Sequence, residues 1–224
     1  MEIDRSKISP MMKQYLDTKD DYPDTILFFR VGDFYEMFFD DALLVSKTLE
    51  LTLTGKECGL EERAPMCGVP HHSSEIYVKK LIEAGYKVAI CEQLTDPSEG
   101  KGIVQRDVIR VVTPGTLIES SMLSDDNNNY ICCAYYDNQS CGMCFADIST
   151  GEVRLALVDG GEKLEPELVD LLSRYSPAEV IFNPEFLSLK TVLDFIKEKL
   201  GCSVTLRESE CFDPDLKKET VYKQ

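Results

Sequence analysis

A run of apolar residues at positions 25–30 is broken by Gly32 and Asp33 and then resumes with a different pattern. The run, Thr-Ile-Leu-Phe-Phe-Arg, is typical of a buried strand. From residue 34 onward, apolar side chains recur at helical spacing, which predicts a helix over residues 34–49. Gly32 permits a sharp turn, and Asp33 is a favourable N-cap. The chain is therefore expected to pass from a strand directly into a helix.

Strand and helix patterns alternate along the first 118 residues. The proline after Ser9 suits the first turn of a helix, and Gly85 is a typical residue to end another. The predicted helices cover about residues 10–19, 34–49 and 75–84, and the predicted strands cover residues 25–30, 51–54, 86–93 and 104–112. Such interleaving indicates a mixed α/β domain.

A polar segment without clear periodicity, residues 119–129, is predicted to be a linker. Three alternating patterns separated by short turns follow it, and they predict consecutive antiparallel strands. Helices and strands then alternate. The predicted strands cover residues 130–136, 141–148, 152–158, 178–182 and 203–206, and the predicted helices cover about residues 166–175 and 184–200.

The chain is acidic, with a formal net charge of −16. Residues 1–122 hold 14 Lys and Arg against 21 Asp and Glu, and residues 123–224 hold 10 against 19, so neither half is basic. Proteins that bind nucleic acid by simple electrostatic attraction normally have clustered Lys and Arg. Composition alone therefore argues against tight DNA binding by this chain.

Nine cysteines and a polar amino terminus indicate the compartment. The first five residues lack the apolar core of a signal peptide, and no apolar run is long enough to cross a membrane. Cysteines without an export signal are expected to be reduced thiols rather than disulfides. We therefore predict a cytoplasmic protein that does not contact membranes.

Four short sequence blocks follow one another along the first half of the chain. They are Gly-Asp-Phe-Tyr-Glu at 32–36, Ala-Pro-Met-Cys-Gly-Val-Pro-His-His at 64–72, Val-Ala-Ile-Cys-Glu-Gln at 88–93 and Arg-Val-Val-Thr-Pro-Gly-Thr at 110–116. Together they resemble blocks of the bacterial MutS family of DNA mismatch-recognition proteins, and the first resembles that family's Phe-X-Glu motif. The resemblance runs from about Ser9 to Gly115 and more diffusely to about Ile181.

The resemblance implies an α/β (α+β) fold in two parts. Residues 1–118 would form a mixed-sheet mismatch-recognition domain, and residues 130–224 a truncated, ribonuclease-H-like connector domain. The chain would be an amino-terminal fragment of a longer protein. In the family, other regions carry the ATPase with its ATP and Mg²⁺, the homodimer contacts and most of the contacts to DNA phosphates. The connector domain contacts a MutL-type partner. No cofactor and no enzymatic activity are expected in this chain.

Phe34 and Glu36 each have two interpretations. By periodicity, Phe34 would be a core residue in register with Phe38 and Ala42. By resemblance, it would be a wedge that stacks on a mispaired base and kinks the duplex. Glu36 would be an ordinary first-turn acid that favours the helix dipole, or, by resemblance, a hydrogen-bond partner of the mispaired base. We predict the wedge and the hydrogen-bond partner.

Further contacts to the DNA backbone or minor groove are predicted by resemblance at Val31, Lys56, Met66, His71 and Lys79. Each lysine could equally be a solvated surface charge. His71, next to a proline and a helix start, could equally serve capping or packing.

Two rival functions would use other residues. Cys141 and Cys144 have the spacing of half a zinc site, but a regular strand would point them to opposite faces. A Mg²⁺-dependent nuclease needs paired carboxylates, for which the candidates are Asp33, Glu36, Asp40, Asp41, Asp137 and Asp147. The sequence has no Gly-x4-Gly-Lys-[Ser/Thr] phosphate loop. We predict neither a metal site nor catalysis.

Overall fold

The computed structural model describes residue 5 and residues 7–95, 104–118 and 128–215. The chain divides into two compact units, Met1–Thr113 and Pro114–Gln224. Each unit contains one sheet with helices, which confirms the mixed α/β class predicted from the sequence. The predicted linker lies almost wholly outside the described residues, and the domain boundaries stay a prediction.

The described part of the first unit contains three α-helices. Helix α1 spans Pro10–Asp21 and has Ser9 at its N-cap position and a proline in its first turn. Helix α2 spans Phe39–Thr48, and helix α3 spans Ser74–Glu83. Gly85 follows α3 with φ +88°, a left-handed conformation that ends a helix as predicted.

Among the residues that the structure describes, six strands form the sheet of the first unit: β1 (Ile26–Val31), β2 (Phe34–Phe38), β3 (Thr54–Lys56), β4 (Ala64–Pro70), β5 (Val88–Gln93) and β6 (Arg106–Val112). Their order is β3-β4-β2-β1-β5-β6. β1 and β5 run parallel, and the other neighbours run antiparallel. The strand predicted at residues 51–54 is misplaced, since β3 starts at its last residue.

The prediction that a helix begins at residue 34 is wrong. Phe34–Phe38 form β2, and the helix starts at Phe39. Tyr35 and Met37 are both buried, so the apolar residues of this segment follow the period of two that a strand requires. β2 pairs with β1 on one side and β4 on the other, and these partners satisfy its backbone groups. Asp33 is therefore not an N-cap; it lies in the turn before β2.

One face of this sheet packs against α1. The buried side chains on that side are Ile8, Met12, Tyr15, Leu16, Leu27, Phe29, Phe38, Cys58, Ala64, Ala89 and Cys91. Helix α2 lies on the opposite face, where the Cys67 thiol is 3.6 Å from the Ala42 carbonyl oxygen. The central strands β1 and β2 are thus held from both sides, which makes them a rigid support for whatever their ends present.

Over residues 128–215, the second unit forms a sheet of five strands. β7 (Tyr130–Tyr136), β8 (Ser140–Asp147) and β9 (Glu152–Asp159) are consecutive and antiparallel, as predicted. β10 (Glu179–Phe182) and β11 (Ser203–Leu206) complete the order β11-β10-β7-β8-β9 and run parallel to β7. Helix α4 spans Leu164–Tyr175. The last predicted helix is divided into a 3-10 turn, Pro184–Ser188, helix α5, Lys190–Phe195, and a π-helical turn, Ile196–Leu200.

Helices α4 and α5 share a core with the sheet of this unit. Its fully buried members include Cys132, Ala134, Cys141, Phe145, Leu168, Leu172, Val180, Phe186 and Val192. Three antiparallel strands followed by alternating helices and strands agree with the expected ribonuclease-H-like connector. Among the helices of the described ranges, none combines the length and the apolar character that a membrane crossing requires.

Candidate nucleic-acid interface

The hairpin of β1 and β2 places Phe34 next to its tip. Val31 and Phe34 are paired residues, so the loop between them consists of Gly32 and Asp33. Gly32 has φ +58°, a conformation that glycine adopts without strain and that two-residue hairpin loops favour. The His71 amide donates to the Asp33 carbonyl at 2.9 Å, which ties the tip to the end of β4.

Phe34 is exposed although its strand is central. Phe34, Glu36 and Phe38 project from the same face of β2, the face that packs against α1 at its far end. Along this face, the exposed fraction is 47% for Phe34 and 0% for Phe38, whose ring packs 4.9 Å from that of Tyr15. The interpretation of Phe34 as a core residue is therefore wrong, and its ring is accessible to a ligand.

The strand also explains the two-residue spacing of Phe34 and Glu36. On a helix, side chains at positions i and i+2 do not face each other. In a strand they project from one face about 7 Å apart. Phe34 and Glu36 consequently stand side by side, which the predicted helical turn would not have achieved.

Glu36 forms an ion pair with Lys56 of β3. Their side chains are 14% and 29% exposed, so water reaches the pair only in part. The Lys56 ammonium also lies 5.6 Å from the centre of the Phe38 ring, within cation–π range. Gly68 of β4 is paired with Glu36, and a Cβ there would lie 3.6 Å from Glu36 Cγ. A side chain at this position would therefore touch the Glu36 stem at ordinary van der Waals distance.

A second cation, Arg106 of β6, belongs to the same environment. Its guanidinium lies 4.8 Å from the centre of the Phe29 ring and donates to the Arg30 carbonyl at 2.7 Å and to the Gln14 side chain at 2.9 Å. Burial lowers the pKa of Arg106, and the negative charge of Glu36 acts in the opposite direction. Arg106 was not predicted from the sequence, because only the fold shows that its side chain reaches past β5 to Phe29 and Arg30 of β1, the strand beside β2.

The other predicted contact residues occupy different surroundings. Val31 and Met66 are half-buried and share the sheet face of Phe34. His71 lies at the hairpin tip. Lys79 belongs to α3 rather than to the sheet. The structure thus groups Val31 and His71 with Phe34, whereas Lys79 is on a separate element.

Three of the carboxylates considered for a nuclease, Asp41, Asp137 and Asp147, make structural hydrogen bonds. Asp41 is buried and accepts from the Leu27 amide and the Lys19 ammonium, each at 2.9 Å. Turn amides lower the pKa of Asp137. Burial acts to raise the pKa of Asp147, but hydrogen bonds from neighbouring residues outweigh it and the pKa is lowered. Within the described ranges, no three His, Cys, Asp or Glu side chains are arranged to hold a metal ion.

Cys141 and Cys144 point to opposite faces of β8, as their alternate burial shows. Burial raises the pKa of Cys141 to about 12 and also raises the pKa of Cys144. Zinc binds the thiolate form, which these environments disfavour. Cys141 is accordingly a small apolar member of the core of the second unit.

Comparison with known proteins agrees with the sequence blocks. Residues 9–121 match the family model of MutS domain I, and residues 129–224 match that of MutS domain II. A DNA mismatch repair protein MutS from Clostridioides difficile is 52% identical over 198 residues, which are 88% of this chain and 20% of that protein. The one from Acetivibrio thermocellus is 46% identical over 216 residues, 96% of this chain and 25% of that protein.

The chain therefore spans about a fifth to a quarter of the length of these curated relatives. The two family matches follow one another along almost the whole chain, and the exposed Phe34 lies within the first. From its matched regions, its two mixed sheets and these relatives, the chain belongs to the MutS family of DNA mismatch repair proteins and contains MutS domains I and II.

Proposed function

We propose that this chain recognises mismatched or unpaired bases in duplex DNA, with Phe34 as a stacking wedge and Glu36 as the hydrogen-bond partner of the displaced base. The observation that supports this best is an exposed aromatic ring beside a carboxylate, on one face of a strand held inside a sheet. Apolar side chains inserted between base steps from the minor groove partly unstack and kink the duplex.

A wedge of this kind prefers mismatches because less free energy is needed to insert it at a mispaired base than at a paired one. Stacking of a base on an aromatic ring is worth about 1–3 kcal/mol. Insertion of the ring also requires that neighbouring bases unstack, and a mispaired base costs less to displace than a paired one. Phe34 therefore gains most free energy where the duplex is already weakened, without reading a base sequence.

Glu36 adds a second requirement. A carboxylate near phosphates is repelled unless a hydrogen bond compensates for the repulsion. A displaced base offers an edge to which the carboxyl group can bond, and the carboxyl must hold a proton if that edge is an acceptor such as a purine N7. Fully paired DNA offers no such bond, so repulsion lowers its affinity selectively.

We expect Glu36→Gln to bind fully paired DNA about fivefold more tightly, as loss of about 1 kcal/mol of repulsion implies. The preference for mismatched DNA should shrink accordingly. The measurement is fluorescence anisotropy at fixed salt with two duplexes that differ by one mispaired base. Because the acidic chain is expected to bind weakly alone, the variant is placed in a chimera in which this chain replaces the segment that it matches in the Clostridioides difficile protein.

Glu83→Gln serves as the matched control, because Glu83 is an exposed carboxylate at the end of α3. It removes the same charge from the same unit and should leave the ratio of the two affinities unchanged. If Glu36→Gln tightened binding to both duplexes equally, the discriminating role of Glu36 would be refuted. A parent chimera without any mismatch preference would refute the proposed function as a whole.

The remaining assignments extend this proposal by family resemblance. Val31, Lys56, Met66, His71 and Lys79 would contact the backbone or minor groove, and the domains would be residues 1–118 and 130–224, joined by a linker. The second domain would contact a MutL-type partner. ATP and Mg²⁺ binding, and homodimer formation, would use parts of the relatives that this chain does not cover. The predicted cytoplasmic location belongs to the same proposal.

A further inference from the structure

Lys56 has a partner that the sequence did not reveal, and the inference from it rests on the proposed function. Lys56 lies on the edge strand β3 and Glu36 on β2, so their ion pair reaches across the intervening strand β4. In the structure, the Lys56 ammonium is bonded to this carboxylate. Lys56 therefore differs from a solvated surface lysine, whose ammonium is free to bind a phosphate.

The two cations near Glu36 differ in how firmly they are held. Arg106 is fixed by hydrogen bonds to the Arg30 carbonyl and the Gln14 side chain, and it lies against the Phe29 ring. It supplies a constant positive charge. Lys56 bonds to the carboxylate itself, so its ammonium sets both the charge and the position of that group.

We infer that Lys56 is the counter-ion of Glu36 and thereby sets how strongly the protein discriminates against paired DNA. This positioning role replaces the direct DNA contact that the family resemblance implies for Lys56, since Lys56 would act on DNA through Glu36. By neutralising the carboxylate, it reduces the repulsion that phosphates meet. Its removal should increase this repulsion for paired DNA most, because the displaced base of a mismatch compensates the carboxylate in part.

The test is a double-mutant cycle of Lys56→Met and Glu36→Gln in the chimera, with the same paired and mismatched duplexes. Lys56→Met should weaken binding to paired DNA about five- to tenfold and binding to mismatched DNA by less, so that mismatch preference rises. In the Glu36→Gln background, loss of the Lys56 charge should weaken binding to both duplexes alike and leave the preference for mismatched DNA unchanged. Lys56→Arg should preserve the parent preference.

Lys47→Met is the control for loss of one positive charge, because Lys47 is an exposed lysine in the last turn of α2. It should leave the preference unchanged. Lys56→Gln repeats the cycle with a polar side chain, in case the methionine variant fails to fold. Thermal unfolding of each variant without DNA gives a second readout, in which the Lys56 and Glu36 changes should also be non-additive.

A different outcome is expected if Lys56 binds phosphate directly. A lysine that binds phosphate would weaken both duplexes alike in both backgrounds, and its loss would reduce the slope of log affinity against log salt by about one. That outcome overturns the counter-ion inference and leaves the proposed function intact. A parent chimera without mismatch preference overturns the proposed function and this inference together.

Discussion

Phe34→Ala is expected to reduce the affinity for mismatched DNA by about 5- to 150-fold, the loss that about 1–3 kcal/mol of stacking implies. Affinity for paired DNA should change far less, because the wedge gains little where the bases remain stacked. The preference should therefore collapse. Anisotropy titrations of the chimera with the two duplexes measure both affinities under one salt condition.

The same variant should leave the fold unchanged, because the Phe34 side chain is 47% exposed and lies outside the core of the first unit. Leu43→Ala is the matched control: Leu43 is also 47% exposed, but it lies on α2. It should alter neither affinity. Retained preference in Phe34→Ala, with a folded protein, would show that the ring is no wedge.

The sequence indicated that Phe34 follows a turn, but it did not indicate that a β-strand carries this residue. The Gly-Asp-Phe-Tyr-Glu block indicated that Phe34 matters, and Gly32 indicated a turn before it. The pattern did not separate helix from strand, because Phe34, Phe38 and Ala42 satisfy helical spacing while Tyr35 and Met37 satisfy alternation. Pairing of β2 with β4, some 30 residues later in the chain, decided between them.

The second unit was predicted more accurately for a physical reason. β7, β8 and β9 are neighbours in sequence and in the sheet, joined by short turns, so their pairing is local. Alternation and turn residues therefore sufficed. The Glu36–Lys56 pair and the contacts of Arg106 depend instead on the order of the strands across the first sheet, since each reaches past an intervening strand. Neither periodicity nor motif spacing contains that information.

The largest effect on stability is expected from Asp41→Ala, which should destabilise the first unit by about 3–5 kcal/mol, as loss of one partner from a buried charged network does. Asp41 Oδ2 accepts from the Leu27 amide at 2.9 Å and lies 3.1 Å from the Tyr15 hydroxyl, while Oδ1 bonds to the Lys19 ammonium at 2.9 Å. Alanine would leave the fully buried Leu27 amide and the Lys19 charge without this acceptor.

Asp40→Ala is the control for this change, because Asp40 is the exposed neighbour of Asp41 in the first turn of α2. Its loss removes the same favourable charge from the helix amino terminus, at a cost of about 0.3–1 kcal/mol. Native-state hydrogen exchange of the amides of β1 and β2 measures the two variants within the intact chain, without requiring that either unit unfold alone. Similar protection in both variants would contradict the network.

Comparison of Asp41→Ala with Phe34→Ala distinguishes the stability of β2 from its contribution to mismatch recognition. The Tyr15 hydroxyl, which lies beside Asp41, also accepts from the Phe38 amide at 3.3 Å, so the network anchors the buried end of the strand whose other end presents Phe34. Asp41→Ala should lower the protection of β2 yet retain mismatch preference at temperatures where the unit remains folded. Phe34→Ala should do the reverse. Loss of preference in a folded Asp41→Ala protein would mean that recognition requires the rigidity of β2 as well as an exposed ring.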